Sequence, residues 1–355
     1  MIIKAKEGRV KRVGVITYYD GINYGVFFQA YSLFKVLKHV FKTNVEFIDY
    51  KNPRHWLLEN MVFYHRLFEP KYLISNVIKI RKFRKFQKAF KKSSKIIFKF
   101  QLMCQKYDYI FYGSDEIWNF TNPLVGYDPI YFGLYTRSNK ISYAPSFGSV
   151  DISEKLPNTA KEGLLSFQRI SVRDENSQEI ILKNLKYKAP IVLDPTLLLD
   201  DILKEVYPKD KDYILVYSTN LEEPFINSIK EFAREHRKQL ISIGYYYKWC
   251  DKSYVGIGPD EWLGFYRKAD FVITSMFHGT IFAIKYRKNF VSIITKFRKN
   301  KISSLLKNLG LQERVLLDPK GLGKKLLNQP NYKKVFDDIH KKRNESLRFI
   351  QESLK

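Results

Sequence analysis

Apolar positions along the chain fall into short runs separated by stretches with helical spacing. Arg12 to Thr17 is a compact apolar run that reads as a strand, and a loop, Tyr19 to Gly25, follows it. From Val26 to His39 the residues Phe27, Ala30, Tyr31, Phe34 and Leu37 share one helical face. Val45 to Tyr50 reads as a second strand, residues 51–78 are aromatic-rich without a clear period, and Tyr107 to Gly113 reads as a buried strand. Lys140 to Ala144, Arg169 to Arg173 and Pro190 to Leu193 read as further strands. The rhythm then restarts, with strands at Asp212–Tyr217, Gln239–Gly244, Phe271–Ser275 and Phe290–Ile294. Helices are expected at Glu222–His236, Pro259–Lys268, Gly279–Tyr286 and Ile302–Leu309. This alternation predicts an α/β fold of two mostly parallel sheets covered on both faces. The expected domains are 1–200 and 205–330, with the boundary in the polar segment 200–211. A C-terminal helix, 331–355, carries Phe336, Ile339, Leu347 and Ile350 on one stripe and is expected to pack across both domains.

Composition narrows the class. The 355 residues, 45% of them apolar and 16% aromatic, supply material for two cores and argue against disorder. With only Cys104 and Cys250 the chain has neither a disulfide scaffold nor a cysteine-based metal site, which is compatible with a reducing cytosol. No run approaches the ~18 apolar residues of a spanning helix. The N-terminal apolar run reads as a first strand, not a signal peptide. The net charge of +26 favours anionic partners: phosphorylated substrates, nucleic acid or an acidic membrane leaflet. Its densest stretch, Lys79 to Lys95, holds nine Lys and Arg and no acid, with Phe83, Phe86 and Phe90 on one face. That predicts an amphipathic helix docked by its Phe face, whose basic face could meet an anionic membrane surface. Zinc-finger, basic-zipper and RNA-binding aromatic signatures are missing, so nothing specific points to nucleic acid.

Open parallel sheets bind ligands outside the carboxyl ends of their strands. The loops in that position are Asn23-Tyr24-Gly25, Gly113-Ser114-Asp115-Glu116, Ser146-Phe147-Gly148 and Ser275 to Thr280. Taken singly, a glycine at such a turn is more often only a turn. Ser275 to Thr280 is the strongest signal, because a helix N-terminus after an apolar strand suits phosphate. His278 sits in that turn beside Gly279 and Thr280, a candidate N-cap. By spacing alone a loop histidine is more often structural. No histidine spacing matches a metal site, so no metal is expected. Asp210-Lys211-Asp212 precedes a strand and reads as a linker.

Six motifs in order resemble the polysaccharide pyruvyl transferase family. They are Asn23-Tyr24-Gly25 leading into Gln29-Ala30-Tyr31-Ser32-Leu33, Gly113-Ser114-Asp115 followed by Trp118-Asn119, and Ser142 to Gly148. Ser171-Val172-Arg173-Asp174, Leu193 to Leu198 and Ser275 to Thr280 complete the set. The resemblance runs from about residue 12 to 310. It implies a glycosyltransferase-B-like fold of two Rossmann-like domains around a cleft. It implies transfer of pyruvate from phosphoenolpyruvate, as co-substrate and without a cofactor, to two hydroxyls of a sugar in a bacterial cell-surface polysaccharide or its lipid-linked precursor. It further implies that His278 is catalytic, that Arg173, Ser275, Gly279 and Thr280 bind the donor, and that Asn23, Tyr24, Gly25, Gly113, Ser114, Asp115, Ser146 and Gly148 line the substrate site. The expected location is the cytoplasm, with peripheral contact to the inner face of the membrane.

Arg173 has a second reading, a structural pair with Asp174 or Glu175. One departure stands out: some members of the family carry Arg two residues before the histidine, where this chain has Met276. Arg173, Lys285, Arg298 or a backbone nest would have to supply that charge. Two other functions fit the same pattern. One is a glycosyltransferase using a nucleotide sugar, since fold does not fix reaction. The other is a non-catalytic glycan- or membrane-surface-binding protein, in which Trp56, Trp118, Trp249 or Trp262 stack on sugars.

Overall fold

The computed structural model describes residues 10–52, 70–96, 98–123, 126–219, 221–294 and 299–355. His55, Trp56, His65 and Arg298 lie outside the described residues. The first half builds β1 (Arg12–Ile16), α1 (Tyr24–Lys35), β2 (Asn44–Phe47), α2 (Pro70–Gln87), β3 (Tyr109–Tyr112), β4 (Asn139–Ser142), α3 (Asn158–Leu165), β5 (Arg169–Ile170) and α4 (Glu175–Leu185). Its five strands form one sheet in the order β2-β1-β3-β4-β5, every neighbouring pair parallel, with Val13 opposite both Val45 and Tyr109.

The second half builds β6 (Tyr213–Tyr217), α5 (Glu223–Glu235), β7 (Gln239–Ile243), β8 (Lys252–Tyr254), α6 (Pro259–Lys268), β9 (Phe271–Thr274) and α7 (Phe277–Lys285). β10 (Asn289–Ile293), α8 (Lys299–Asn308), β11 (Val315–Leu316), α9 (Leu322–Leu327) and α10 (Tyr332–Ser353) complete it. The six strands, again parallel, run in the order β11-β10-β9-β6-β7-β8. β3 and β6 are buried along their whole length, which is why they read as unbroken apolar runs rather than alternating ones.

Several elements differ from the sequence expectation. The basic helix begins at Pro70 and ends at Gln87, not at residue 95. Beyond it the backbone leaves the helix to pair with β2: Phe47 N–H donates to the Lys91 carbonyl at 2.8 Å, and Ser93 N–H to the Phe47 carbonyl at 2.8 Å. Phe90 follows the same route and packs 4.9 Å from Phe47, ring to ring. Phe83 and Phe90 are buried and Phe86 is half-buried, as the stripe predicts. Pro190 to Leu193 is not a strand but a single bridge between Val172 and Ile191: Pro190 has no N–H to give a ladder, and the Leu193 N–H goes to Ser346 Oγ at 3.0 Å. β8, β11, α3, α4 and α9 are present in the structure without having been expected from the sequence.

The two halves meet through aromatic contacts on α1. Phe28 lies 4.8 Å from Phe282 and 5.4 Å from Trp262, ring to ring. Tyr24 stacks on Trp262 at 5.3 Å and donates its hydroxyl to the Ile257 carbonyl at 2.9 Å. α10 bridges back. Its Tyr332 hydroxyl bonds the Lys288 carbonyl in the second half, and Arg343 Nε donates to the Leu197 carbonyl at 2.9 Å. Further along, Ser346 Oγ accepts from Leu193 N–H at 3.0 Å, and Glu352 pairs with Arg169 of β5 at 3.0 Å. A 22-residue amphipathic helix thereby buries its apolar stripe against both halves.

Candidate active site

Parallel sheets send the carboxyl end of each strand into a loop and then a helix N-terminus. Here the loop after β1 and the loop after β9 bring α1 and α7 together at their N-terminal ends. Asn23 caps α1, its side chain accepting from Gly25 N–H at 2.9 Å and Val26 N–H at 3.3 Å. α7 starts at Phe277 with Met276 as an extended N-cap that has no side-chain cap bond. Thr280 is therefore not the N-cap. His278 is the second residue of α7, and its imidazole lies against Gly25. A Cβ on Gly25 would stand 2.2 Å from His278 Nδ1, so a glycine is required there. His278 is 9% exposed.

On its other side His278 Nε2 sits 3.4 Å from Asp194 Oδ2. Asp194 is buried, and its second oxygen accepts from Thr196 N–H at 3.0 Å and Thr196 Oγ1 at 2.7 Å. Arg173 Nη1 donates to Asp194 Oδ2 at 2.9 Å, and Nη2 stands 3.6 Å from Asp115 Oδ1. The guanidinium lies 4.3 Å over the Phe277 ring. Burial by itself would raise the Asp194 pKa. The charge of His278, whose Nε2 stands 3.4 Å away, then Arg173 and the Thr196 hydroxyl, outweigh it and hold the carboxyl well below the usual range. Burial likewise pulls the Arg173 pKa down, but Asp194, Asp115 and Asp174 raise it further, so the group stays charged.

A second ion pair borders this one. Lys301, near the start of α8, pairs with Glu116 and stands 5.8 Å from the Phe277 ring centre. Burial would raise the Glu116 pKa, but Lys301 first, then Asn119 and Arg173, push it down to about 2. Phe277 thus has Arg173 from the first half and Lys301 from the second beside one ring. A cavity of about 70 Å³ opens beside Arg173, Asp194 and Phe277. Among the described residues, three buried polar atoms of the cluster around Asp194 have no hydrogen-bond partner: Arg173 Nε and Nη2 and His278 Nε2. Such atoms are rare in a folded interior and mark a place where a ligand or water supplies the partner. No three His, Cys, Asp or Glu side chains among the described residues converge as metal ligands would.

The expected site residues divide into two groups. Arg173, His278, Gly25 and Asp115 come together around Asp194, while Ser114 accepts from Thr17 Oγ1 through its carbonyl at 2.9 Å. Gly113, at φ +113°, brings this loop close to the next strand end, since a Cβ there would lie 2.5 Å from the Tyr143 carbonyl oxygen. The others hold the loops. Ser146 Oγ donates to Asp174 Oδ2 at 2.5 Å and accepts from Gly148 N–H at 2.9 Å. Ser275 Oγ is bonded to Ser218 Oγ at 2.7 Å and Thr219 N–H at 3.1 Å. Thr280 Oγ1 bonds the Met276 carbonyl and Ser292 Oγ, and a Cβ on Gly279 would stand 2.1 Å from Thr274 Oγ1. Tyr24 is consumed by the contact between the halves.

Asp174 and Glu175 do not pair with Arg173. Asp174 caps α4 through Ser177 N–H at 2.8 Å, and Glu175 pairs with Lys307 at 3.0 Å. Lys285 does not replace the missing arginine either. Its ammonium bonds the carbonyls of Thr196 and Leu199, and burial lowers its pKa to about 8. Asp194 and Lys301 were not singled out from the sequence. Asp194 lies inside the Leu193–Leu198 motif; Lys301 carries no local signal beyond its charge.

Two parallel α/β sheets whose helix N-termini face each other make a glycosyltransferase-B-like fold, with a buried Arg–Asp–His cluster between them. The fold is shared with a UDP-N-acetylglucosamine 2-epimerase crystal structure at TM-score 0.56 and 12% identity, over 97% of this chain and 95% of that one. A Methanocaldococcus jannaschii UDP-GlcNAc 2-epimerase, solved with UDP-GlcNAc and UDP, matches at TM-score 0.51 and 12% identity, over 91% and 93%. A Thermobaculum terrenum O-GlcNAc transferase mutant matches at TM-score 0.46 and 11% identity, over 95% of this chain and 64% of that one. No match was found among curated protein sequences. A family profile, polysaccharide pyruvyl transferase, matches residues 23–296, and the chain belongs to that family.

Proposed function

We propose that the chain transfers pyruvate from phosphoenolpyruvate to two hydroxyls of one sugar in a bacterial cell-surface polysaccharide or its lipid-linked precursor, forming a cyclic ketal. The observation that most supports this is the buried, charged Arg173, whose Nε and Nη2 have no hydrogen-bond partner among the described residues, beside His278 Nε2, which likewise has none and meets Asp194 only at 3.4 Å. Phosphoenolpyruvate carries a phosphate and a carboxylate on three carbons. A guanidinium fork grips either group with two bonds, and a helix N-terminus adds amide donors and positive dipole. Lys301 adds the second cation, in place of an arginine at Met276.

In the reaction one sugar hydroxyl adds to C2 as C3 takes up a proton. The C2–O bond to phosphate then breaks, and the second hydroxyl closes the ketal at C2. Of the two hydroxyl protons, one ends on C3 and the other on the released phosphate. His278 Nε2 is the titratable atom that relays a proton in this sequence, and such transfer is worth about 10²–10⁴-fold in rate. Asp194 keeps the imidazole oriented and holds Arg173 in place. Phosphoenolpyruvate is a cytoplasmic metabolite, so this reading puts the reaction on the cytoplasmic side. Incubation with phosphoenolpyruvate and a panel of glycans tests it: phosphate release should require an acceptor and match a pyruvate mass gain on it. Phosphate release without an acceptor, or transfer only from a nucleotide sugar, refutes it.

A further inference from the structure

α2 lies close to this site and presents two opposed faces. Its inner face carries Lys79, Lys82 and Phe83. Phe83 packs 5.0 Å from Tyr24, Lys79 Nζ lies 4.8 Å over the Tyr24 ring, and Lys82 pairs with Glu261 at 2.6 Å. Tyr24 is the neighbour of Gly25, which touches His278, so α2 stands one layer from the candidate site.

The outer stripe runs Ile74, Val77 and Ile78, Arg81, Lys85, at spacings of three and four, and Lys88 just past the helix continues it. Its N-terminal half is apolar and in water: Leu73 is 40% exposed, Ile74 69%, Val77 36% and Ile78 39%. Its C-terminal half is cationic, with Arg81, Arg84, Lys85 and Lys88 all exposed. No Asp or Glu occurs between residues 70 and 107. No helix among the described residues is long and apolar enough to cross a membrane.

We propose that this stripe docks α2 flat on an anionic bilayer, with Leu73, Ile74, Val77 and Ile78 entering the acyl boundary and Arg81, Arg84, Lys85 and Lys88 on the headgroups. Four exposed aliphatic side chains on adjoining turns give apolar area that a phosphate backbone cannot cover, which sets nucleic acid aside. An acid-free basic half continuous with them matches an interfacial helix on negatively charged lipid. The inference stands on exposure and charge and does not depend on the reaction. Combined with it, the docked helix would bring the cleft to a lipid-linked acceptor.

The test uses the full chain in co-sedimentation with phosphatidylcholine vesicles and with vesicles containing phosphatidylglycerol. Wild type should bind the anionic vesicles at least about tenfold more tightly, and salt should erase the difference as the Debye length shrinks below about 10 Å. The Ile74→Ser/Ile78→Ser and Arg81→Glu/Lys85→Glu double variants should each weaken that binding by roughly tenfold or more. Ile74, Arg81 and Lys85 are exposed and Ile78 is partly so, bordering Gly256, so melting should shift by no more than a few degrees and phosphoenolpyruvate binding should be unchanged, which separates failure here from failure of the catalytic reading. Equal binding to neutral and anionic vesicles, no vesicle binding, or binding indifferent to either variant overturns the proposal. So does a dimer in sedimentation that Ile74→Ser/Ile78→Ser dissolves without any vesicle binding by wild type. The single variants Ile78→Ser and Lys85→Glu repeat the test should either double variant fold poorly.

Discussion

Arg173→Lys separates a donor-binding role from a structural one. In the wild type one nitrogen of the fork is spent on Asp194 at 2.9 Å, a second faces Asp115 at 3.6 Å, and the plane covers Phe277. Lysine keeps the charge beside Asp194, so the buried carboxylate is not orphaned. It loses the second branch of the fork and the stacked plane. A cation over an aromatic ring is worth about 0.5–2 kcal/mol. At roughly 2–4 °C per kcal/mol for domains of this size, melting should fall by about 1–8 °C. Arg173→Ala, by contrast, strips the buried Asp194 of its guanidinium and leaves it only His278 and Thr196, at a cost of up to about 3–5 kcal/mol. Donor affinity responds differently. The Nε and Nη2 donors have no hydrogen-bond partner among the described residues, Nη2 meeting Asp115 only at ion-pair distance, and are the groups a phosphate or carboxylate would take. One lost charge-assisted bond, about 1.5–3 kcal/mol, predicts a dissociation constant for phosphoenolpyruvate raised about ten- to hundredfold in the lysine variant. Titration calorimetry with phosphoenolpyruvate reads this without any acceptor, and a thermal melt on the same preparation reads stability. A variant that melts lower but binds phosphoenolpyruvate as wild type does would show that Arg173 only holds Asp194 and Asp115, and the donor assignment fails.

Three further outcomes are expected. His278→Gln, close in size, should lower turnover by about 10²-fold or more while melting stays within a few degrees; unchanged turnover removes His278 from the mechanism. Gly25→Ala puts a methyl 2.2 Å from His278 Nδ1, so it should cost about 1–3 kcal/mol and displace the imidazole, with activity falling at least about tenfold; a variant as stable and active as wild type contradicts the packing. Glu116 titrates near 2 in the folded chain against an ordinary 4.5, so its ion pair with Lys301 contributes fully above about 4.5 and is lost as the pH falls toward 2. Asp194 acts in the same direction. Glu116→Gln should therefore melt lower at neutral pH and lose less stability between pH 4.5 and 2 than wild type; parallel melting curves against pH would refute it.

The sequence by itself determined the two rounds of strand and helix, the order of the loops at the strand ends, and the acid-free basic stretch. These are local properties: the period of apolar side chains and the turn chemistry of Gly, Ser and Asn act over a few residues. It also singled out Arg173 and His278, through their place in ordered motifs. Which loops meet was decided only by the tertiary structure. Asp194 reaches Arg173 across 21 residues and His278 across 84, and Lys301 reaches Glu116 across 185, because two separate sheets direct their carboxyl ends toward each other. The same packing assigned Tyr24, Ser146, Ser275 and Thr280 to holding the loops, since each finds a nearer hydrogen-bond partner inside the protein. It also ended α2 at Gln87, where backbone pairing with β2 replaces the next helical turn. Periodicity cannot foresee such outcomes, because a buried polar group takes whichever partner the folded chain brings within about 3 Å, and that distance is a property of topology.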